Sequence, residues 1–307
     1  MARAEPARTT LRGAQFVDPA TLAKIKNLEL VARTVVDGFI NGLHRAPYLG
    51  FSLDFAEHRG YEPGDDLRRV DWKLFARSDR YYVKQFEADT NANVVSALDV
   101  SKSMAFSSGG LSKLDYGRFL AASLTYFSHK QRDRVGLITF DEEILDFVPA
   151  SAKHLEVVLH ALDRRQPGRT GQLARPVLRA TERLRRRGIV AIISDLYDDP
   201  HAIVEAVRPL RFRGHDVAVF HVLDPAEIEF PYDEPSSFED LETGDRLPVV
   251  PESLGAEYRA LVQEHITALQ RLFTESRIDY ALFNTSTPLD YALFRYLSLR
   301  ERLMRVR

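Results

Sequence analysis

The stretch Asn93-Val94-Val95-Ser96-Ala97-Leu98-Asp99-Val100-Ser101-Lys102-Ser103-Met104 decides the fold. Its first six residues form an apolar run too continuous for a half-exposed strand, which reads as a strand covered on both faces. That strand delivers an acid and two hydroxyls, at alternate positions, to the loop at its carboxyl end, where open α/β sheets place their ligands. Hard divalent cations prefer such oxygens. Mg²⁺ keeps several waters, so a few hydroxyls and one or two carboxylates suffice to hold it.

Working outward, the same grammar recurs downstream. Ile189-Val190-Ala191-Ile192-Ile193 is a second buried strand and ends in Ser194-Asp195, which aims another carboxylate at the same sheet edge. Between the two strands, Gly168-Arg169-Thr170-Gly171 is a turn opening a helical stretch, and it offers a third hydroxyl. Strand and helix patterns alternate between and beyond them. Helices are expected over 114–130, 154–164, 172–187 and 201–212, and strands over 135–140, 144–148 and 216–222. The strands over 135–140 and 144–148 pair as a hairpin around Asp141-Glu142-Glu143 and put an antiparallel strand on the edge. The expected fold class is therefore α/β, a doubly wound, mostly parallel sheet with one antiparallel edge strand.

Asp99, Ser101, Ser103, Thr170 and Asp195 fall in the order and approximate spacing of the metal-ion-dependent adhesion site of von Willebrand factor A domains, which they resemble. The segment ahead of them resembles something narrower. Glu57-His58-Arg59-Gly60-Tyr61-Glu62-Pro63-Gly64-Asp65-Asp66-Leu67-Arg68-Arg69-Val70-Asp71-Trp72-Lys73, followed by Ala76-Arg77, is similar to the signature of the DUF58 family, which carries an A-type domain after this block. The resemblance implies Mg²⁺, with Mn²⁺ or Ca²⁺ as alternatives, held by Ser101, Ser103 and Thr170 directly and by Asp99 and Asp195 directly or through water. Lys102 is expected to point away from the ion.

The expected organisation is a disordered tail over 1–17, an N-terminal helix with the signature segment over 18–90, and an A-type domain over 91–307 with an insertion at 226–251. The first helix follows from Leu22, Ile25, Leu28, Val31, Val35 and Phe39, spaced by threes and fours after Asp18-Pro19, and it ends before Pro47. A long helix over 253–276, a strand over 278–283 and a closing helix over 288–302 complete the chain. Within the signature, Arg59, Asp65, Asp66, Arg68, Asp71, Lys73 and Arg77 form either a salt-bridged loop holding Trp72 and Tyr61 against the domain or, as Arg59, Asp65, Asp66, Arg68, Trp72 and Arg77, a surface for a partner protein. Exposed ion pairs of that sort are worth little individually, and the structural role is the more ordinary of the two.

Composition narrows the function. The chain has 307 residues with 42 Lys and Arg against 44 Asp and Glu, so no global attraction to nucleic acid or an anionic membrane is expected. It has no cysteine, which removes thiolate metal sites and leaves oxygen ligands as the rich option, and it fits a reducing, cytoplasmic location. No apolar stretch approaches the roughly 20 residues needed to span a bilayer. The nine histidines show no paired metal spacing. There is no phosphate-binding Gly-x-x-x-x-Gly-Lys-Ser/Thr loop and no Gly-x-Ser-x-Gly elbow, so the chain does not read as an ATPase or a serine hydrolase.

An adhesion-type site takes an acidic side chain of a partner onto its metal, and proteins resembling DUF58 are commonly encoded with MoxR-type AAA+ ATPases. The resemblance therefore implies a non-enzymatic adaptor or co-chaperone whose partner is such an ATPase. The alternative is a Mg²⁺-dependent hydrolase or phosphatase with Asp99 as nucleophile or Asp195 as base. Against it, a phosphoaspartate enzyme of the haloacid dehalogenase type carries a second Asp two positions after the first, where this chain has Ser101.

Overall fold

The computed structural model describes residues 19–25, 27–44, 58–60, 74–75, 80–84, 92–241, 244–291 and 293. The elements, in chain order, begin with α1 (Pro19–Leu22), α2 (Leu28–His44), β1 (His58–Gly60), β2 (Tyr82–Lys84) and β3 (Asn93–Asp99). They continue with α3 (Lys113–Lys130), β4 (Arg134–Phe140), β5 (Ile144–Ser151), α4 (Leu155–Asp163), α5 (Ala174–Arg183), β6 (Ile189–Ser194) and α6 (Pro200–Phe212). After β7 (Asp216–Leu223) come α7 (Pro225–Glu229), β8 (Ser236–Glu239), β9 (Arg246–Val249), α8 (Pro251–Glu275) and β10 (Asp279–Asn284).

Six strands form one sheet in the order β10-β7-β6-β3-β4-β5, with every pair parallel except β4 with β5. This is the doubly wound sheet with a single antiparallel edge strand that the alternating pattern predicts. From β3 the chain steps to β4 on one side, and after β5 it crosses to β6 on the other. The strand order therefore reverses between β3 and β6, the switch point where the carboxyl ends of an open sheet leave a crevice. Register sets Leu98 beside Ile193, which brings Asp99 level with Ser194 and puts Asp195 one residue further out.

Both sheet faces are covered, which accounts for the continuous apolar runs in its central strands. On one face, Leu98, Ile193, Phe220 and Phe283 pack under α2, α3 and α4. On the other, Val95, Ala97, Ile192 and Val219 meet Val177 of α5, Val204 and Val207 of α6, and Leu269 and Phe273 of α8. The N-terminal α2 is part of this core. Val31, Val35 and Phe39 are buried, and the Phe39 ring meets Phe127 of α3 edge-on at 5.6 Å.

Several boundaries differ from the sequence expectation. The single helix starting at Pro19 is two helices, interrupted after Leu22 and restarting at Leu28, where the Asn27 side chain accepts the Leu30 N–H and caps the new start. Helix α5 stops at Arg183 rather than at 187, because Leu184 leaves helical backbone with ψ 86°. The insertion opens with the short α7 before its β8–β9 hairpin. Of the signature residues, Arg59 lies in β1, which pairs antiparallel with β2. Asp65, Asp66, Arg68, Trp72 and Arg77 lie outside the described residues, as do the expected disordered tail and most of the closing helix.

Candidate metal centre

Strand β3 ends at Asp99, and its carboxylate folds back on its own loop. Oδ1 accepts the Ser101 N–H at 2.9 Å, while Oδ2 accepts the Ser194 hydroxyl at 2.7 Å from the neighbouring strand. Ser101 is buried and Ser103 half-buried, and their hydroxyl oxygens stand 3.1 Å apart. Lys102 between them is exposed.

The loop carrying Thr170 is stitched to this one through backbone. Gly168 donates its N–H to the Val100 carbonyl at 2.5 Å, and Lys102 donates to the Arg169 carbonyl at 3.0 Å. Glycine is required at 168, where a Cβ would come within 2.6 Å of an Asp141 carboxylate oxygen and 3.2 Å of the Val100 carbonyl. Asp141 is itself buried and clamps the loop by accepting the Arg169 N–H at 3.1 Å. The structure thus brings the Thr170 loop against the Ser101 loop and leaves the Thr170 side chain exposed at its rim.

Asp195 follows β6 and is buried, but it already has a cation. The Lys113 ammonium, at the first turn of α3, lies 2.7 Å from Asp195 Oδ2 and 2.7 Å from Glu227 Oε1 of α7. Its side chain is 1% exposed, and the Tyr197 ring faces it at 4.8 Å. Burial pushes the ammonium toward neutrality, yet the charges of Asp195 and Glu227 outweigh burial and raise its pKa, so Lys113 is charged. Burial raises the Glu227 carboxyl against the opposing pull of Lys113. Glu227 also closes a capping box, accepting the Asp224 N–H at 2.8 Å.

Among the described residues no cation is paired with Asp99. Burial first, and the nearby charge of Asp195 second, push its carboxyl up to about 7 despite the hydrogen bonds from Ser194 and Ser101. Past Asp195 the backbone is strained: Leu196 holds φ 53°, a left-handed value unusual for a leucine. The turn is held from both sides, by the Leu196 N–H on Ser194 Oγ at 3.1 Å and by His265 of α8, whose Nε2 donates to the Leu196 carbonyl at 2.9 Å.

Two features suit a hard cation. Cis oxygens of an octahedral Mg²⁺ at ~2.1 Å lie roughly 3.0 Å apart, and the two serine hydroxyls are separated by 3.1 Å. Two buried carboxylates of like charge at one sheet edge are also relieved by a cation between their loops. Among the described residues no three Asp, Glu or His side chains converge, so a cation here would depend on the hydroxyls.

The DUF58 model, described as a protein of unknown function, matches residues 57–268, more than two thirds of the chain and all five positions of this site. The chain belongs to the DUF58 family. This DUF58 protein is 31% identical over 228 residues to the uncharacterized protein Rv1480 of Mycobacterium tuberculosis, a match covering 72% of this chain and 70% of the relative. The uncharacterized protein Mb1516 of Mycobacterium bovis matches to the same extent. Among solved structures it is similar to the conserved hypothetical protein BatB from Bacteroides thetaiotaomicron, with 18% identity and a TM-score of 0.49 over 69% of this chain and 99% of that one. It is also similar to the SpRpn10 VWA domain, with 13% identity and a TM-score of 0.38 over 66% of this chain and 94% of that one. Among the described residues no helix is long and apolar enough to cross a membrane.

Sequence reasoning missed Lys113, Glu227, Ser194 and Asp141. A signal existed for Lys113, which lies four residues before Gly117 and seven before Leu120, on the apolar face of its own helix. Glu227 was signalled by Asp224-Pro225-Ala226-Glu227, the spacing of a capping box. Ser194 and Asp141 carried none, because only the register of β3 with its neighbours makes them partners.

Proposed function

We propose that this DUF58 protein is a metal-dependent protein-binding module that receives an acidic side chain of a partner at the carboxyl end of β3. The single observation that supports it most is the Ser101 and Ser103 hydroxyl pair at 3.1 Å beside the uncompensated Asp99 carboxylate. Ser101, Ser103 and Asp99 would hold the ion, Thr170 would approach from its stitched loop, and Asp195 would act at longer range because Lys113 engages one of its oxygens. Bound Mg²⁺, or Mn²⁺ or Ca²⁺ in its place, supplies a positive coordination position for an incoming carboxylate.

The protein's own contribution is positioning. Ser194 and the Ser101 N–H fix the Asp99 rotamer, Asp141 and Gly168 fix the Thr170 loop, and the covered sheet keeps the strand ends in register. The resemblance of the signature block suggests the partner: a MoxR-type AAA+ ATPase, for which this chain would serve as adaptor or co-chaperone. Arg59, Asp65, Asp66, Arg68, Trp72 and Arg77 would contribute a second, metal-independent contact.

The test is a binding assay between the purified protein and a MoxR-type ATPase, with wild type and Asp99→Ala, each in Mg²⁺ and in EDTA. Binding only by wild type in Mg²⁺ supports the reading. Equal binding in all four conditions removes the metal from the interaction. The raised Asp99 carboxyl favours a second reading, a Mg²⁺-dependent hydrolase, and turnover of a phosphate ester lost in Asp99→Asn would support it instead.

A further inference from the structure

We infer that Lys113 is a positioning residue for the metal centre, a tethered cation that holds Asp195 away from the ion and keeps divalent-metal affinity low until a partner's carboxylate joins the site. The inference rests on the metal-centre reading above and adds what sets its strength. Three observations carry it. Lys113 is completely buried, and a lysine is not found there unless its charge has partners. Its ammonium sits on the functional carboxylate itself, 2.7 Å from Asp195 Oδ2, and is anchored from behind by Glu227 at the same distance. Neither end of the arrangement is free to drift, because Lys113 follows the Ser112 cap of α3, which accepts the Asp115 N–H at 3.0 Å, and Glu227 closes the capping box of α7.

The consequence follows from charge. Without a metal, Lys113 is shared between Asp195 and Glu227, so with Asp99 three carboxylates face one ammonium and Asp99 is the one it does not reach. With a metal, the same ammonium repels the incoming ion and withholds one Asp195 oxygen from it. Net attraction then depends on Asp99 and neutral hydroxyls, and an acidic partner supplies the missing negative charge. Metal and partner are thereby linked, each strengthening the other by the same factor. The Ser108 N–H and hydroxyl, both bonded to Asp224 beside Glu227, tie the loop that carries Ser101 and Ser103 to the same anchor.

Removing Lys113 would strand both Asp195 and Glu227 as buried charges; the comparison is made in a Glu227→Gln background so that only the acid of the proposed site is released. Mg²⁺ binding is measured by calorimetry for wild type, Glu227→Gln and the double variant Lys113→Met with Glu227→Gln. The expected result is that the double variant binds Mg²⁺ at least tenfold tighter than Glu227→Gln, while Glu227→Gln binds no tighter than wild type. A merely structural role for Lys113 would loosen the site instead. If wild type binds Mg²⁺ and the double variant binds no tighter than Glu227→Gln, the inference is overturned and the metal-centre reading stands. If none of the three binds Mg²⁺, both fall. Should the double variant unfold, Lys113→Arg with Glu227→Gln replaces it: retained weak affinity supports the charge argument, and a tenfold gain with the charge kept overturns it.

Discussion

Replacing Asp99 by asparagine should stabilise the metal-free protein and, in the same stroke, abolish its response to Mg²⁺. Asp99 is 5% exposed, and its carboxyl is pushed up from 3.8 to about 7 by burial and by Asp195. A shift of that size means that holding the group ionised at pH 8 costs the fold on the order of 4 kcal/mol, at about 1.4 kcal/mol per unit. Asparagine has the same shape and removes the charge. Its oxygen still accepts the Ser101 N–H, but its amide must donate where the carboxylate accepted from Ser194, and Ser194 already receives the Leu196 N–H. Allowing about half the gain to be lost in that rearrangement leaves about 1–3 kcal/mol, or roughly 3–8 °C in melting temperature for a domain of this size. The sign has a pH signature. Because the folded pKa is raised, the cost is absent below 3.8 and grows as pH rises toward 7; at pH 5 it is roughly 1.7 kcal/mol, no more than the rearrangement loss, so the advantage of the variant should be seen at pH 8 and be gone by pH 5. Mg²⁺ at ten times its Kd should stabilise wild type by about 1.4 kcal/mol and leave the variant unchanged. Thermal melts at pH 5 and pH 8, each with Mg²⁺ and with EDTA, read all of this. A variant that melts lower than wild type in EDTA at pH 8 would refute the electrostatic account, and one that keeps the Mg²⁺ shift would refute the role of Asp99 in holding the ion.

Ser101→Ala and Ser103→Ala each remove one member of the hydroxyl pair, so the metal-free stability should change by about 1 kcal/mol or less while the Mg²⁺-induced melting shift is lost; retention of that shift in both variants would exclude the pair as ligands. His221 is buried and held down to about 3 by burial and by His265, so protonation favours the unfolded chain, and its contribution to stability is complete above 6.5 and lost as pH falls. Between pH 7 and pH 5, urea denaturation should show wild type losing about 2 kcal/mol more than His221→Gln, whereas equal losses would place the pH sensitivity elsewhere. Gly188→Ala would bring a Cβ within 2.1 Å of the Asn93 carbonyl and should cost about 2–3 kcal/mol by forcing β3 and β6 apart, while Gly109→Ala, with nothing within 4 Å, should be neutral; urea midpoints of the two separate them.

What was legible in the sequence was what repeats or alternates. The two apolar runs ending in Asp99 and Asp195 specify adjacent buried strands because only strands covered on both faces tolerate such continuity, and the helices between them follow from spacing by threes and fours. The one antiparallel edge was legible because three residues, 141–143, are too few for a crossover between β4 and β5. The boundaries that were misread lack a strong local stop. Leu184-Arg185-Arg186-Arg187 has ordinary helix formers, and the helix ends at Arg183 only where the backbone turns away to enter β6. The acids and hydroxyls of the candidate site were legible as residue types, but their hydrogen-bond partners were not. The apolar face of its helix marks Lys113 as buried, but its partners lie more than eighty and more than a hundred residues downstream, out of reach of any local pattern.

The same packing explains how charge is shared out at this sheet edge. Asp99, Asp195 and Glu227 are three carboxylates served by one lysine, and the lysine is committed to the latter two. The imbalance therefore falls on Asp99, whose raised carboxyl is its measurable sign. Strain falls beside it, at Leu196, which is kept in a left-handed conformation by hydrogen bonds from two directions. Charge mismatch and backbone strain both oppose folding. Their coincidence at the switch point, beside two hydroxyls at the spacing of an octahedral edge, is what the proposed binding site would need, its stability being supplied by the two hydrophobic layers on either side.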